Sequence, residues 1–185
     1  MISILWLCCD RLLVNLRVPA LFSDGMVLQR DTKVAIWGQS TPETNIYLYP
    51  SWGKNVTVKS DIDGRWKTHL ETNNDKIRHS LIIRSGKDKI SIKDILMGEV
   101  WLASGQSNME MDFDYCCNST DSTKHVLQND IFKKIRMFNV KKRYSLNPSS
   151  DIQGRWVEAV KDSIKSFSAV GYFFAKKLHN TLDVP

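Results

Sequence analysis

The sequence is poor in the spacings that announce a cofactor. It has no Cys-x-x-Cys, no His-x-x-x-His and no glycine-rich phosphate loop, so zinc-knuckle, zincin and P-loop chemistry have no footing in it. No metal site and no cofactor are expected. Long hydrophobic runs are also missing. A bilayer span needs about 20 apolar residues, whereas Met1 to Cys9 is the longest candidate at the start and Asp10 and Arg11 interrupt it. That stretch has neither a basic beginning nor a small-residue cleavage site, so it makes a poor signal peptide. Cysteine is scarce: there are 4, in the adjacent pairs Cys8-Cys9 and Cys116-Cys117. Neighbours rarely bridge each other, which leaves free or semi-buried thiols, or disulfides to other cysteines in an oxidising compartment. Neither sign of charge dominates. The net charge of +6 supports solubility and does not by itself imply nucleic acid.

What is present is an ordinary globular composition, 42% hydrophobic and 25% charged, over 185 residues. Residues 18–96 consist of short alternating or apolar runs separated by turn signals. The runs are Val34 to Trp37, Ile46 to Tyr49, Val56 to Val58, Arg65 to Leu70, Ser80 to Arg84 and Lys89 to Ile92. Turns are expected at Asp24-Gly25, Asp61 to Gly64 and Ser85-Gly86. This spacing, with no helical period, predicts a small antiparallel β-sandwich. The pattern changes near Met97-Gly98. Beyond it come an expected buried strand at Glu99 to Ala103, a polar stretch from about Asp112 to Lys124, and a short helical piece at His125 to Asn129. An alternating strand at Lys134 to Val140 and a loop from Ser145 to Gly154 follow. A helix is expected from Ser168 to Leu182, with Phe167, Val170, Phe174 and Leu178 as its apolar stripe and Ser166 or Ser168 as cap. Strand, helix, strand, helix is how an α/β domain begins. The domain expectation is a β-sandwich-like unit at 18–96, part of an α/β hydrolase unit at 97–185, and 1–17 unassigned. The amphipathic stretch running almost to Pro185 suggests a chain cut within a domain, and the short second unit agrees.

The most specific chemical feature is Gly105-Gln106-Ser107-Asn108-Met109. A serine on the turn leaving a buried strand has its backbone fixed, its hydroxyl exposed, and helix N–H groups aimed at a developing oxyanion. It is not the Gly-x-Ser-x-Gly elbow, because Met109 replaces the second glycine. The bland reading is a structural turn serine.

The block from Gly98 to Met111, GEVWLASGQSNMEM, resembles the nucleophile block of the sialate O-acetylesterase family, within the SGNH hydrolases. Pro19 to Arg30 resembles that family's opening, and Phe167 to Ala175 its helix beyond the nucleophile. The three segments occur in the family's order. The resemblance implies a three-layer α/β/α flavodoxin-like hydrolase domain after a β domain. It implies an acyl-enzyme formed when Ser107 attacks an acetyl ester, the substrate being an O-acetylated sugar. The Ser107 N–H would be one oxyanion donor and Gly171 a second. For Gly171 a packing glycine is the competing reading. Gln106 and Asn108 would shape the turn or touch substrate, or support the turn by hydrogen bonds. A secreted, periplasmic or lysosome-like setting is implied.

The base and its acid are missing. The superfamily supplies them from an Asp-x-x-His block, and this sequence has none; nor does it hold the family's Asn block before Trp-Gly-Gly. His69, His79, His125 and His179 are read as structural, His179 as solvent-facing. Little esterase turnover is therefore expected of this polypeptide. Two other functions have sequence support. Trp37, Trp52, Trp66, Tyr47 and Tyr49 would stack on sugars if exposed, or fill the sandwich core. Lys133, Lys134, Arg136, Lys141, Lys142 and Arg143, around Phe138 and Tyr144, would suit nucleic acid, but a strand with solvated basic ends explains them more simply. Asn55-Val56-Thr57 and Asn118-Ser119-Thr120 match the glycosylation sequon.

Overall fold

The computed structural model describes residues 15–116 and 131–185. Seven strands come first: β1 (Val27–Gln29), β2 (Lys33–Gln39), β3 (Asn45–Pro50), β4 (Val56–Lys59), β5 (Arg65–Glu71), β6 (His79–Ser85) and β7 (Asp88–Gly98). They form a five-stranded sheet in the order β1-β7-β6-β3-β4, faced by the pair β2-β5. Alternation assigns the faces. Along β3, Ile46, Leu48 and Pro50 point inward while Tyr47 and Tyr49 are exposed. The core between the sheets holds Ile36, Ile46, Leu48, Leu70, Leu81, Ile83 and Ile95, all fully buried or nearly so. Trp66 belongs to it, and Trp37 and Trp52 pack against it, so these indoles serve the core. Gly38 makes room: a Cβ there would lie 2.7 Å from Cζ2 of Trp66 and 2.3 Å from the Arg17 carbonyl. Gly64 turns the chain between β4 and β5 with φ +77°, a conformation that favours glycine. The sandwich departs from the antiparallel expectation in one place, since β1 pairs with β7 in parallel, Val27 opposite Leu96.

Beyond β7 come two single-turn helices, α1 (Ser107–Glu110) and α2 (Phe113–Cys116), then strands β8 (Ile131–Phe138) and β9 (Trp156–Val160). Helices α3 (Lys161–Lys165) and α4 (Ala169–Leu182) follow. A second core gathers Phe113, Ile135, Met137, Ala159, Ile164 and Tyr172. Strands β8 and β9 are antiparallel, and β9 had no sequence signal assigned to it. Ile135 and Met137 of β8 face the helices. The neighbouring Arg136 turns to the sandwich, its guanidinium meeting Asp94 of β7 at 2.8 Å and Glu158 of the paired strand β9 at 3.4 Å. Trp156 does the same, packing on the first core and donating its indole N–H to the Leu21 carbonyl at 2.8 Å. Arg136 is therefore a buried cross-link rather than a solvated basic end. Lys142 pairs with Glu110.

Two expectations need correction. Glu99 to Ala103 is not a buried strand: pairing stops at Gly98, and Val100, Trp101 and Leu102 are 43%, 63% and 89% exposed. An apolar run is buried only where another layer covers it, and the described residues leave most of this one uncovered. The stripe Phe167, Val170, Phe174 and Leu178 is not the buried face of α4; Ala169, Gly171 and Tyr172 are, while Val170 and Phe174 are about half exposed. Ser168 is the cap, its hydroxyl oxygen accepting the Gly171 N–H at 3.1 Å. Cys8, Cys9, Cys117, the Cys116 side chain, His125, the sequon at Asn118 and most of the polar stretch lie outside the described residues.

Two outcomes follow from this packing. Leu48→Ala removes a fully buried side chain from the sandwich and should cost about 2–5 kcal/mol, read as a lower urea midpoint. Asp75 gives a pH signature. Desolvation pushes its carboxyl up, but bonds from His79, Asn73 and the Ile77 N–H, with the attraction of His79, outweigh this and hold it below the ordinary carboxylate range. A carboxyl lowered in the native state stabilises above its unfolded pKa, and that gain disappears as pH falls through the native one. Asp75→Asn should flatten this part of the acid-side stability profile in urea titrations across acidic pH.

Candidate active site

The sequence puts an apolar segment, a glycine and a polar triplet in succession, and the structure converts these into a short exposed turn. Gln106 is extended and caps α1, its carbonyl accepting the N–H groups of Met109 (3.0 Å) and Glu110 (3.2 Å). The Ser107 carbonyl accepts the Met111 N–H at 3.0 Å. Gln106, Ser107 and Asn108 are all exposed. The Gln106 side chain makes no cap bond. Ser107 and Asn108 occupy the first positions of α1, where N–H groups have no intrahelical acceptor.

Helix α4 holds this turn from behind. The Ala169 N–H donates to the Met111 carbonyl at 2.9 Å, and the Ser168 hydroxyl reaches Sδ of Met109 at 3.5 Å. Gly171 lies one turn along, buried, and a Cβ there would meet Cε1 of Phe167 at 3.2 Å. Its N–H is engaged by the Ser168 cap, so packing and capping account for this glycine here. A groove of about 660 Å³ opens beside the turn, with Trp101, Ser104, Gly105, Gly171, Phe174 and Leu178 in its wall. Trp101 and Phe174 meet edge to face across it at 5.2 Å.

The segment leading to Ser107 is anchored at its root by residues that the sequence did not single out. The Glu99 carboxylate accepts from Nε2 of Gln29 at 3.0 Å and Nε of Arg30 at 2.8 Å. Oε1 of Gln29 accepts the Val100 N–H at 2.8 Å. The bonds from Gln29 and then Arg30, with the charge of Arg30, hold the Glu99 carboxyl below its ordinary range against the opposing desolvation. Gln29-Arg30 ends the opening segment, so its place near the nucleophile block was the available signal. The Glu99 N–H donates to the Pro185 carbonyl at 3.0 Å, and Gly98 lies so close that a Cβ would sit 2.3 Å from that oxygen.

Among the described residues, no hydrogen bond joins the Ser107 hydroxyl to a base. His69 is exposed on β5. His79 is buried in the sandwich between Ser51 and Asp75. His179 is half-buried rather than solvent-facing, with Nδ1 2.7 Å from the Val184 carbonyl and its ring edge-on to Phe132. No group of histidine, cysteine and carboxylate side chains among the described residues forms a metal cluster. No helix among them is long and apolar enough to cross a membrane.

No protein-family model matches the chain. Curated relatives do. The sialate O-acetylesterase of Pongo abelii is 26% identical over 190 residues, which is 93% of this chain and 36% of that protein. The sialate O-acetylesterase of Homo sapiens is 25% identical over 187 residues, with the same coverage. Among solved structures, a carbohydrate acetylesterase from Xanthomonas citri superposes with a TM-score of 0.85 at 34% identity, over 92% of this chain and 38% of that one. The chain thus spans little more than a third of the length of the proteins it matches. These matches run over nearly all of this chain's own length and make it similar to sialate O-acetylesterases and to a carbohydrate acetylesterase.

Proposed function

We propose that this chain carries the β domain and the nucleophile segment of a carbohydrate O-acetylesterase acting on O-acetylated sialic acid or a related sugar. The single observation that carries the reading is the exposed Ser107 at the start of α1, in a chain whose fold matches a carbohydrate acetylesterase at a TM-score of 0.85. Ser107 Oγ attacks the acetyl carbonyl, an acyl-enzyme forms, and water releases acetate. The free Ser107 N–H is the first oxyanion donor. Gly171 is the second, in an arrangement where its N–H leaves the Ser168 hydroxyl for the substrate. Gln106, with no cap bond to make, and Asn108 beside it contact the sugar. The base and acid come from outside the described residues.

The domain division falls at residues 18–96 and 97–185, and the second part belongs to a layered α/β hydrolase sheet. Two features support this. The Glu99 N–H to Pro185 carbonyl bond is a rung between the root of the nucleophile segment and the residues that follow α4. Trp101 and Leu102 are apolar yet exposed, as a strand without its neighbour would be.

Two outcomes test the reading. The 185-residue chain should show little turnover of 4-nitrophenyl acetate, and Ser107-dependent turnover at enzyme-like rates would overturn the placement of the base. In a protein joining this chain to the remainder of such an esterase, Ser107→Ala should lower acetate release from O-acetylated sialic acid by roughly 10⁴-fold or more. Gly98→Ala tests the sheet: its Cβ collides with Pro185, so the Glu99 amide should lose hydrogen-exchange protection while the β2-β5 amides keep theirs.

A further inference from the structure

A second serine is built into a relay in the sandwich, away from Ser107. His79 begins β6, Ser51 follows β3, and Asp75 lies between β5 and β6. Nε2 of His79 is 2.7 Å from Oδ1 of Asp75, and Nδ1 is 3.2 Å from the Ser51 hydroxyl. Asp75 is an ionised acceptor, so Nε2 carries the proton and donates it. Nδ1 then keeps its lone pair and accepts the Ser51 O–H. The ring is held on every side. Trp52 meets it edge-on at 5.6 Å, and the Trp52 indole is itself tied to the Glu71 carbonyl at 2.9 Å. Asn73 donates to the other Asp75 oxygen at 2.7 Å. The His79 side chain is only 3% exposed, whereas Ser51 stands on an exposed turn above it. The Ser80 N–H donates to the Ser51 oxygen at 3.0 Å, which fixes the hydroxyl in place beside the ring.

We propose that Ser51 is a nucleophilic serine, activated through His79 and Asp75, which takes an acyl group from small activated esters. Nucleophile, base and orienting acid are present in hydrogen-bonding sequence, with the two ring nitrogens exchanged relative to the usual serine-hydrolase order. Ser51 Oγ bonds to the acyl carbon as its proton passes to Nδ1 of His79. The ester C–O bond breaks and its electron pair leaves on the phenolate. Asp75 stabilises the imidazolium until its proton returns to solvent. His79 alone is the base, and Asp75 is a positioning residue. Ser51 stands on an exposed turn open to a small donor, so the inference concerns acylation of Ser51 rather than turnover of a bound sugar. It does not rest on the Ser107 reading.

The test uses the full chain with Ser107→Ala, so that acylation at Ser107 is removed. The protein is treated with 4-nitrophenyl acetate, phenolate release is followed, and acetylated peptides are mapped by mass spectrometry. Ser51 should acetylate about 10²-fold faster than the exposed Ser149. Its rate should fall when the reaction is run in D2O, since proton transfer to Nδ1 accompanies acylation. Asp75→Asn should lower the Ser51 rate by roughly tenfold or more and leave Ser149 unchanged. His79→Gln should abolish the excess. Acetylation of Ser51 no faster than Ser149, or a Ser51 rate indifferent to Asp75→Asn, would overturn the proposal.

Discussion

The Glu99 carboxylate governs how this molecule is put together. It sits where the paired strand β7 gives way to an exposed segment outside any strand. Gln29 and Arg30 reach it from the end of β1, the strand that lies parallel to β7. Those bonds fix the exit direction of the chain after Gly98. Everything later in the site inherits that direction, since only a few residues separate Glu99 from Ser107. A charge-assisted pair in a half-buried position is worth more than one in open solvent. Here it also satisfies backbone: Gln29 uses its amide oxygen to take the Val100 N–H. The end of a strand, where ladder bonds run out, is where such side-chain partners are needed most.

A second constraint is the double use of β8 and β9. One face of this pair closes the helical core through Ile135, Met137 and Ala159. The other face meets the sandwich through Arg136 and Trp156. Arg136 is almost wholly buried and lies between two carboxylates. Removing either partner would leave charge in a poorly solvated place, and this is costly. The geometry of the Ser107 turn relative to the sandwich thus rests on two charged anchors, one before it at Glu99 and one after it at Arg136.

The sandwich was legible because short apolar runs such as Ile46 to Tyr49 are closed by turn residues, although residue type alone did not tell that Tyr47 and Tyr49 point outward. The Ser107 turn was legible through its glycine and polar triplet. The burial of Glu99 to Ala103 was not, because an apolar run states a preference for cover without saying whether the chain provides it. Strand β9 escaped for a related reason. Trp156-Val157-Glu158-Ala159-Val160 faces two apolar surfaces at once, so its pattern does not alternate cleanly. The α4 stripe misled in a similar way. Phe174 and Leu178 have the correct spacing for a core face, but they line the groove, and smaller Ala169 and Gly171 permit the close packing. His79 was read as structural on type and position alone; its partners at residues 51 and 75 come together only when β3 and β6 pair.

The two serines separate what nucleophilic chemistry requires. Ser107 has an exposed hydroxyl and unpaired N–H groups at a helix start, but no base bonded to it among the described residues. A helix of four residues has only a small macrodipole, so any oxyanion stabilisation there must come from individual N–H groups at hydrogen-bond distance. Ser51 has the opposite endowment: a base 3.2 Å away and an acid behind it, but its one backbone donor, the Ser80 N–H, bonds the hydroxyl itself rather than the site of an oxyanion. General-base catalysis contributes about 10²–10⁴-fold, and one oxyanion donor about 10²–10³-fold. Neither alone reaches the rate of an enzyme. A serine with donors and a groove but no base becomes effective when a base is brought to it. A serine with a base but no oxyanion donor can be acylated yet gains little at the transition state. Binding surface and base thus lie with different serines: the groove opens beside the Ser107 turn, and the hydroxyl bonded to a histidine stands on the sandwich.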